Sequence, residues 1–428
     1  MGTTRSRKTT VDRGEVIKKI PAGDMDRFID ICILAYPGMP VRSKAERAAV
    51  RTRMAKRNRD PRVSVWGCYR SGELVGGLRL FDYTMNLHGV PIPVGGGGSL
   101  AVALEHKKEH VARNLMTHFI DHYRKKKTPL AILYPFRPDF YRAMGFGYGS
   151  KLHQYRIRPA HLPDSPARRA VRLLTRADLP ALQRCYHRFY MHTSGMIEET
   201  ACGWNLIFEY GKHRYAGYVD QGELRGYAAF AFEPAAPDDF IRNNLRVSEL
   251  LVNDREALAG LLAFLRSQHD QVDHIILDTF ADDFHFLPVD PRAREHMFAP
   301  IYHETNLSGV GLMVKVIDIP AMFAALAGHS FGGQTVTVGI AVTDTFTPAN
   351  QGRYIVRFSK GKSVIARRGR ADVDITLDIA QFSSLLVGAV GFKELYRYNL
   401  AEISDPAWVD RVHALFRTDD KPVCVTQF

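Results

Sequence analysis

The chain has 428 residues, 46% of them hydrophobic and 24% charged, with a formal net charge of +13. That length is too great for one ordinary domain and sufficient for two or three with real cores, while no uninterrupted apolar run reaches the roughly 20 residues of a membrane helix. Five scattered cysteines (Cys32, Cys68, Cys185, Cys202, Cys424) without CxxC spacing fit reduced thiols, and the basic amino-terminal stretch has no apolar signal core, so the chain reads as soluble and cytoplasmic, with no membrane partner. The positive charge calls for an anionic partner, either a phosphorylated cofactor or nucleic acid.

In chain order, Glu15 to Ile20 reads as a strand and about Asp24 to Ala35 as a helix with Asp24 as N-cap, closed by Pro37 and Pro40. The densest basic run follows, Arg42 to Arg62, with Arg47, Arg51, Arg53, Lys56, Arg57 and Arg59 on a helix. It has no interleaved aromatics to stack bases and reads as a solvated face, so nucleic acid is not expected as a partner. Val63 to Tyr69 and Leu74 to Tyr83 form a hairpin about Ser71-Gly72, and Gly89 to Pro93 turns the chain into a central strand. Gly95 to Gly98 precedes a strand instead of opening a helix, which argues against a phosphate loop and for a flexible lead-in.

The stretch from Gly95 to Gly149 carries the densest chemistry. A strand from Ser99 to Leu104 enters a short basic turn, Glu105 to Glu109, and then a long helix to about Lys127, whose Val111, Leu115, Phe119 and Ile120 share one face. A strand from Leu130 to Tyr134 and a short helix from Asp139 to Met144 follow. Strand, turn and helix in that order make an anion site, because the first amides of a helix lack internal partners and lie at the positive end of its dipole. Lys107 and Lys108 add charge there, and a pyrophosphate is the natural guest.

Pro159, Pro163 and Pro166 mark a connector near residue 160, beyond which the order repeats. Val171 to Leu174 is a strand, Leu179 to Tyr190 and Ala201 to Tyr210 are helices, and Arg214 to Asp220 pairs with Leu224 to Phe232. The strand Val247 to Val252 runs into the helix Arg255 to Gln268 through Asn253-Asp254-Arg255-Glu256. An acidic turn repels phosphate, so the second unit reads as the same fold without cofactor; an unrelated α/β domain stays open. From Ile319 a helix leads to strands at Val336 to Val342, Tyr354 to Ser359, Ser363 to Arg367 and Asp374 to Asp378, then to helices Ile379 to Val387 and Pro406 to Phe416.

The strand leading into HKKEHVA, and FYRAMGFGYG beyond the next strand, resemble the Gcn5-related N-acetyltransferases (GNAT) and within them the Eis (enhanced intracellular survival) acetyltransferases. TDTFTPANQGRYIVRF and the strand-then-helix close resemble the sterol carrier protein fold that ends Eis proteins. The resemblance implies an α+β chain: a catalytic GNAT domain at 1–160, a degenerate one at 161–317, and a sterol-carrier-protein-like domain at 318–428 that supplies a catalytic C-terminus. It implies an acyltransferase using acetyl-coenzyme A, without metal, on an amine of a polyamine-like or aminoglycoside molecule or on lysine, assembled as a hexamer. The pantetheine would lie beside Leu100, Ala101 and Val102. The pyrophosphate would sit on amides of Lys108, Glu109, His110, Val111, Ala112 and Arg113, with Phe136 and Arg137 further along the cofactor. Tyr141 would be the general acid and the carboxylate of the last residue, Phe428, the general base. The family turn carries glycine where this chain has His110.

Read from composition alone, Tyr141 is better taken as packing the short helix beside Phe140, a reading that the motif around it reverses, and the tail with Val423, Val425 and Phe428 equally forms a last strand that buries only side chains. His106 with His110, and His118 with His122, have the spacing of a metal pair but no third ligand, so no metal is expected. No GxSxG elbow occurs. Glu198, Glu199, Asp238, Asp239, Asp282 and Asp283 offer either an acidic wall for a cationic amine or plain surface. The alternative to an enzyme is a binding protein in which His110 impairs the coenzyme A turn and the C-terminal domain holds an apolar ligand.

Overall fold

The computed structural model describes residues 14–39, 41, 43–200, 203–204, 207–208, 213–236, 239–293 and 297–428. The chain separates into two units. One comprises the chain up to Tyr83, Pro93–Tyr134 and Phe428; the other comprises Thr84–Ile92 and Pro135–Gln427.

The first unit is built on β1 (Glu15–Lys19), α1 (Met25–Ala35), α2 (Lys44–Arg57), β2 (Val63–Arg70), β3 (Glu73–Leu87), β4 (Val90–Val102), α3 (Val111–Lys125) and β5 (Leu130–Leu133), although the tips of β3 and β4 belong to the second unit. The strands lie in the order β1-β2-β3-β4-β5, and β4 runs parallel to β5. The basic helix starts where Ser43 and Glu46 form a reciprocal capping box. Its Arg47 and Arg51 pair with Asp30 and Asp26 of α1, so part of the basic run joins two helices. Asp24 precedes α1 without capping it and instead accepts the Tyr69 hydroxyl at 2.7 Å.

The glycine run corrects the expectation of a flexible lead-in, because Gly95–Gly98 lie within β4. A Cβ at Gly95 would meet the Tyr123 ring at 2.4 Å, and one at Gly97 the Phe119 ring at 3.1 Å. The strand is glycine-rich because two aromatics of α3 lie flat on its backbone, an approach that only a missing side chain permits. α3 brings the rings there through its buried stripe of Val111, Leu115, Met116, Phe119, Ile120 and Tyr123.

In the second unit, α4 (Pro138–Arg142) and β6 (Gly147–Tyr148) precede β7 (Lys151–Ile157), β8 (Val171–Leu173), α5 (Leu179–His192), β9 (Arg214–Asp220), β10 (Glu223–Ala236) and β11 (Asp239–Val252). Next come α6 (Arg255–Arg266), β12 (Val272–Thr279), the small hairpin β13 (Met297–Ala299) and β14 (Tyr302–His303), β15 (Asn306–Val310) and β16 (Met313–Val316). One sheet has the order β15-β7-β12-β11-β10-β9-β8, with β11 and β12 parallel on either side of α6, which repeats the plan of β4, α3 and β5. β7, which precedes the proline connector, pairs with β12 and β15 in this sheet, and β16 pairs with β6. The helix expected over 201–210 falls partly outside the described residues, as do Cys202 and Asp238.

The last region packs α7 (Ile319–Ala325), α8 (Ile379–Leu386), α9 (Phe392–Arg397) and α10 (Val409–Phe416) with a sheet of β17 (Val336–Thr343), β18 (Gly352–Ser359), β19 (Lys362–Ala366), β20 (Val373–Asp378) and β21 (Ala401–Ile403), in the order β19-β18-β17-β20-β21. Its interior holds Phe323, Phe331, Phe358, Phe382 and Phe416, whose contacting ring centroids lie 5.3 to 6.4 Å apart. α8 is buried along its whole length.

Candidate active site

In the first unit, β4 and β5 pair from Val94 with Leu130 to Gly97 with Leu133, where β5 ends. Ser99, just beyond, has φ of +50°, a left-handed step that bends the strand as it leaves its partner. Leu100, Ala101 and Val102 follow where β4 no longer pairs with β5, and the Leu100 carbonyl accepts the Tyr36 hydroxyl at 2.7 Å. Ala101 is buried against the core, while Leu100 and Val102 are half-buried.

The turn into α3 has Lys108 and His110 both at φ of +65°. His110 thus adopts the backbone that glycine favours, and its exposed side chain makes no capping bond. A left-handed residue immediately before the first helical one turns their successive amides toward one concave side, the arrangement that receives anions. α3 opens directly behind it, with Val111, Ala112 and Arg113 as its first residues and no acid in its first turn. Glu109 accepts from His106 at 3.0 Å and from Arg70 of β2, and Glu105, the other acid of the turn, pairs with Arg27 at 3.1 Å. The bonds to Glu109, His106 first and Arg70 next, hold its carboxyl below the usual range. Arg70 and Arg27, outside the turn, offset Glu109 and Glu105, and exposed Lys107 and Lys108 leave the local balance positive. The left-handed turn at Lys108 and His110, the acid-free first turn of α3 and the two lysines fit a diphosphate.

Phe428 belongs to this same unit. Its ring lies 5.4 Å from Phe81, 5.3 Å from Tyr83 and 5.2 Å from Tyr134, centroid to centroid. A Cβ placed on Gly98 would come 3.4 Å from the main-chain carbon and oxygen of Phe428. The last residue is therefore pinned by three rings, with its carboxyl group beside the point where β4 leaves β5.

Tyr141, Phe136 and Arg137 belong to the second unit. Tyr141 is buried near the end of α4, with its ring edge-on to Phe140 at 5.2 Å and Phe146 at 6.1 Å. Burial pushes its phenol up to about 12, so it holds its proton at any physiological pH. Phe136 is 67% exposed, and Arg137 pairs with Asp139.

The helix that corresponds to α3 begins differently. The Asp254 carboxylate caps α6 by accepting the Ala257 amide at 2.8 Å, and Arg255 pairs with Glu256 at 2.7 Å. A side-chain carboxylate stands where a phosphate would have to approach. Toward the end of the chain, Val423 donates its amide to Ser194 at 2.7 Å, and Val423 and Val425 pack on the cluster of Tyr186, Tyr190 and Trp204. Glu198 and Glu199 line a cavity of about 540 Å³ beside those three aromatics. The rings of His118 and His122 lie 4.3 and 5.5 Å from that of Trp66, tilted and edge-on, and no three-residue metal cluster occurs among the described residues.

The acetyltransferase (GNAT) domain family matches residues 16–149, a second acetyltransferase (GNAT) family matches residues 195–303, and the sterol carrier protein domain family matches residues 321–425. The chain belongs to the Gcn5-related N-acetyltransferases and is an N-acetyltransferase ending in a sterol carrier protein domain. Its fold is shared along 97% of its length by Eis1 from Mycobacterium abscessus, at 21% identity, a TM-score of 0.76 and 100% coverage of that chain. It is shared likewise by GCN5-related N-acetyltransferases from Anabaena variabilis (16% identity, TM-score 0.80, 97% of this chain and 100% of that one) and Kribbella flavida (18%, 0.77, 97% and 98%). No curated protein matches the chain by sequence.

Proposed function

We propose that this protein moves the acetyl group of acetyl-coenzyme A to an amine of a small polyamine-like or aminoglycoside molecule, or of lysine, in the manner of the Eis enzymes. The domain at 1–160 is catalytic, that at 161–317 binds no cofactor, and that at 318–428 supplies the tail. The observation that carries the reading is the seating of Phe428 among Phe81, Tyr83 and Tyr134 with its carboxyl group at Gly98.

Acetyl-coenzyme A supplies a thioester whose carbonyl accepts the amine. The amides of Lys108 to Arg113 hold the diphosphate, and the side of β4 that has left β5, at Leu100, Ala101 and Val102, receives the pantetheine; Phe136 and Arg137 take the further part of the cofactor. The Phe428 carboxylate accepts the amine proton as the C–N bond forms. The C–S bond breaks, and the Tyr141 phenol gives its proton to the departing thiolate. An amide near Val102 polarises the carbonyl. Asp254 at the start of α6 supports the reading that the second domain takes no phosphate.

Calorimetry with acetyl-coenzyme A, followed by an acetylation assay on a panel of amines, tests the function. Saturable binding and transfer are expected, and the competing ligand-binding reading is favoured if no heat appears at millimolar cofactor. The hexamer expected of this family is read by light scattering, and the cytoplasmic location by fractionation.

A further inference from the structure

The turn that follows Tyr141 rests on a buried charge from elsewhere in the second unit. Tyr141 lies one residue from the end of α4, and its carbonyl accepts the amides of Met144 at 2.9 Å and Phe146 at 3.1 Å. Gly145, between them, has φ of +83°, so the chain reverses there and the Met144 carbonyl needs a partner outside the helix. That partner is the Lys315 ammonium of β16, at 2.9 Å. Lys315 has 0% of its side chain exposed, as has Asp344, whose Oδ1 accepts from the ammonium at 2.8 Å.

Asp344 belongs to the sterol carrier protein domain, in the loop after β17. Its carboxylate also accepts the Thr347 amide at 2.8 Å and the Asn350 side-chain amide at 3.3 Å, so the anion is held by three donors. Asn350 in turn donates to the Val316 carbonyl and accepts the Ile319 amide, which locks the loop to the end of β16. A wholly buried lysine is costly unless every proton on it is used, and this one spends two on Met144 and Asp344 and faces the Phe346 ring at 5.6 Å.

The glycines of FYRAMGFGYG belong to the same arrangement. A Cβ at Gly145 would lie 2.6 Å from both the Lys315 ammonium and Ile379, and one at Gly147 would lie 2.0 Å from the Ala380 carbonyl. Ser384 of α8 donates to the Tyr148 carbonyl at 2.8 Å. Backbone bonds, two close glycine approaches and an ion pair thus fasten the tyrosine turn to the sterol carrier protein domain.

We infer that Lys315 and Asp344 are positioning residues for Tyr141, and that the sterol carrier protein domain sets the aim of the catalytic acid through this buried pair. The inference rests on the general-acid reading of Tyr141 given above. Lys315 touches neither substrate nor cofactor; it fixes the carbonyl at the end of the short helix on which the phenol is mounted. Misplacement by about 1 Å costs up to about 100-fold in rate.

The test is a kinetic double-mutant cycle on the full chain. Lys315→Met is expected to lower kcat by at least about tenfold with the KM for acetyl-coenzyme A unchanged, and to have little further effect once Tyr141→Phe is present. Lys315→Met/Asp344→Asn, which leaves no unpaired charge, carries the same cycle if the single variant does not fold, and thermal unfolding checks each protein. If Tyr141→Phe alone leaves kcat intact, the acid assignment fails and the inference falls with it. If Tyr141→Phe slows turnover but the two losses multiply, the assignment stands and the inference alone is overturned. A rise in KM with unchanged kcat also overturns it.

Discussion

Converting the Phe428 carboxylate to an amide removes a charge while leaving the ring, and so separates chemistry from anchoring. The ring has three aromatic neighbours at 5.2 to 5.4 Å. At about 0.5–1.5 kcal/mol for each such pair, the anchor contributes roughly 1.5–4.5 kcal/mol, enough to keep an amidated tail seated. A general base contributes about 10²–10⁴ in rate, so the amide should lower kcat by that factor with the KM for acetyl-coenzyme A unchanged. Cys424 makes the experiment direct, because the segment Cys424 to Phe428 can be joined as a synthetic peptide to the preceding chain at that cysteine. The ligated acid is the control and should be fully active. Phe428→Ala tests the anchor: it keeps the carboxylate but loses the rings, and should fall between the two. An amide as fast as the ligated acid refutes the base assignment outright, and an amide whose tail is released to proteolysis would show that the anchor reasoning is at fault.

Tyr141→Phe should slow turnover at near-constant cofactor affinity in steady-state kinetics, and unchanged kcat would mean that another group protonates the thiolate. Because burial pushes the phenol up to about 12, the wild-type rate should show no alkaline fall from this residue below about pH 11, as a pH-rate profile would reveal. His110→Gly relieves a left-handed side-chain residue and should raise stability by about 1 kcal/mol in denaturant melts, with acetyl-coenzyme A bound at least as tightly; a weakened cofactor would show that the imidazole takes part in binding. His329, stacked 4.6 Å from His88, is pushed down to about 4, chiefly by burial and then by its neighbour's charge. Its folded pKa lies below the ordinary value of 6.5, so the stability it contributes is present above that value and is lost as pH falls through about 4. Unfolding followed between pH 7 and 4 should show this loss, and His329→Gln should flatten it.

Much of the fold was legible because local rules and tertiary packing agree. α3 was read from its apolar spacing, and that same stripe is the buried face. α6 and α8 likewise bury apolar residues along their length, and the basic helix opens on the capping box of Ser43 and Glu46. The strands β7, β12 and β15 were harder. β7 has only partial alternation, and β12 and β15 acquire a clear role only when they flank one another through β7. The short α9 has too few residues for its period to show. The glycine run misled because a strand of glycines looks flexible in isolation. What makes it rigid, the rings of Tyr123 and Phe119, lies in the next helix.

Sequence alone determined the chemistry available: a basic strand-turn-helix, a tyrosine in a glycine-rich motif, an acidic counterpart in the second repeat, and an apolar tail ending in phenylalanine. These are properties of neighbouring residues, and propensity, charge and spacing suffice to read them. Only the tertiary structure decided that His110 takes the backbone of a glycine, that Phe428 rests on the central strand, and that Lys315 and Asp344 meet under the tyrosine turn. The last two depend on contacts between residues far apart in the chain. A lone lysine in a strand gives no sign of the carboxylate that makes its burial tolerable.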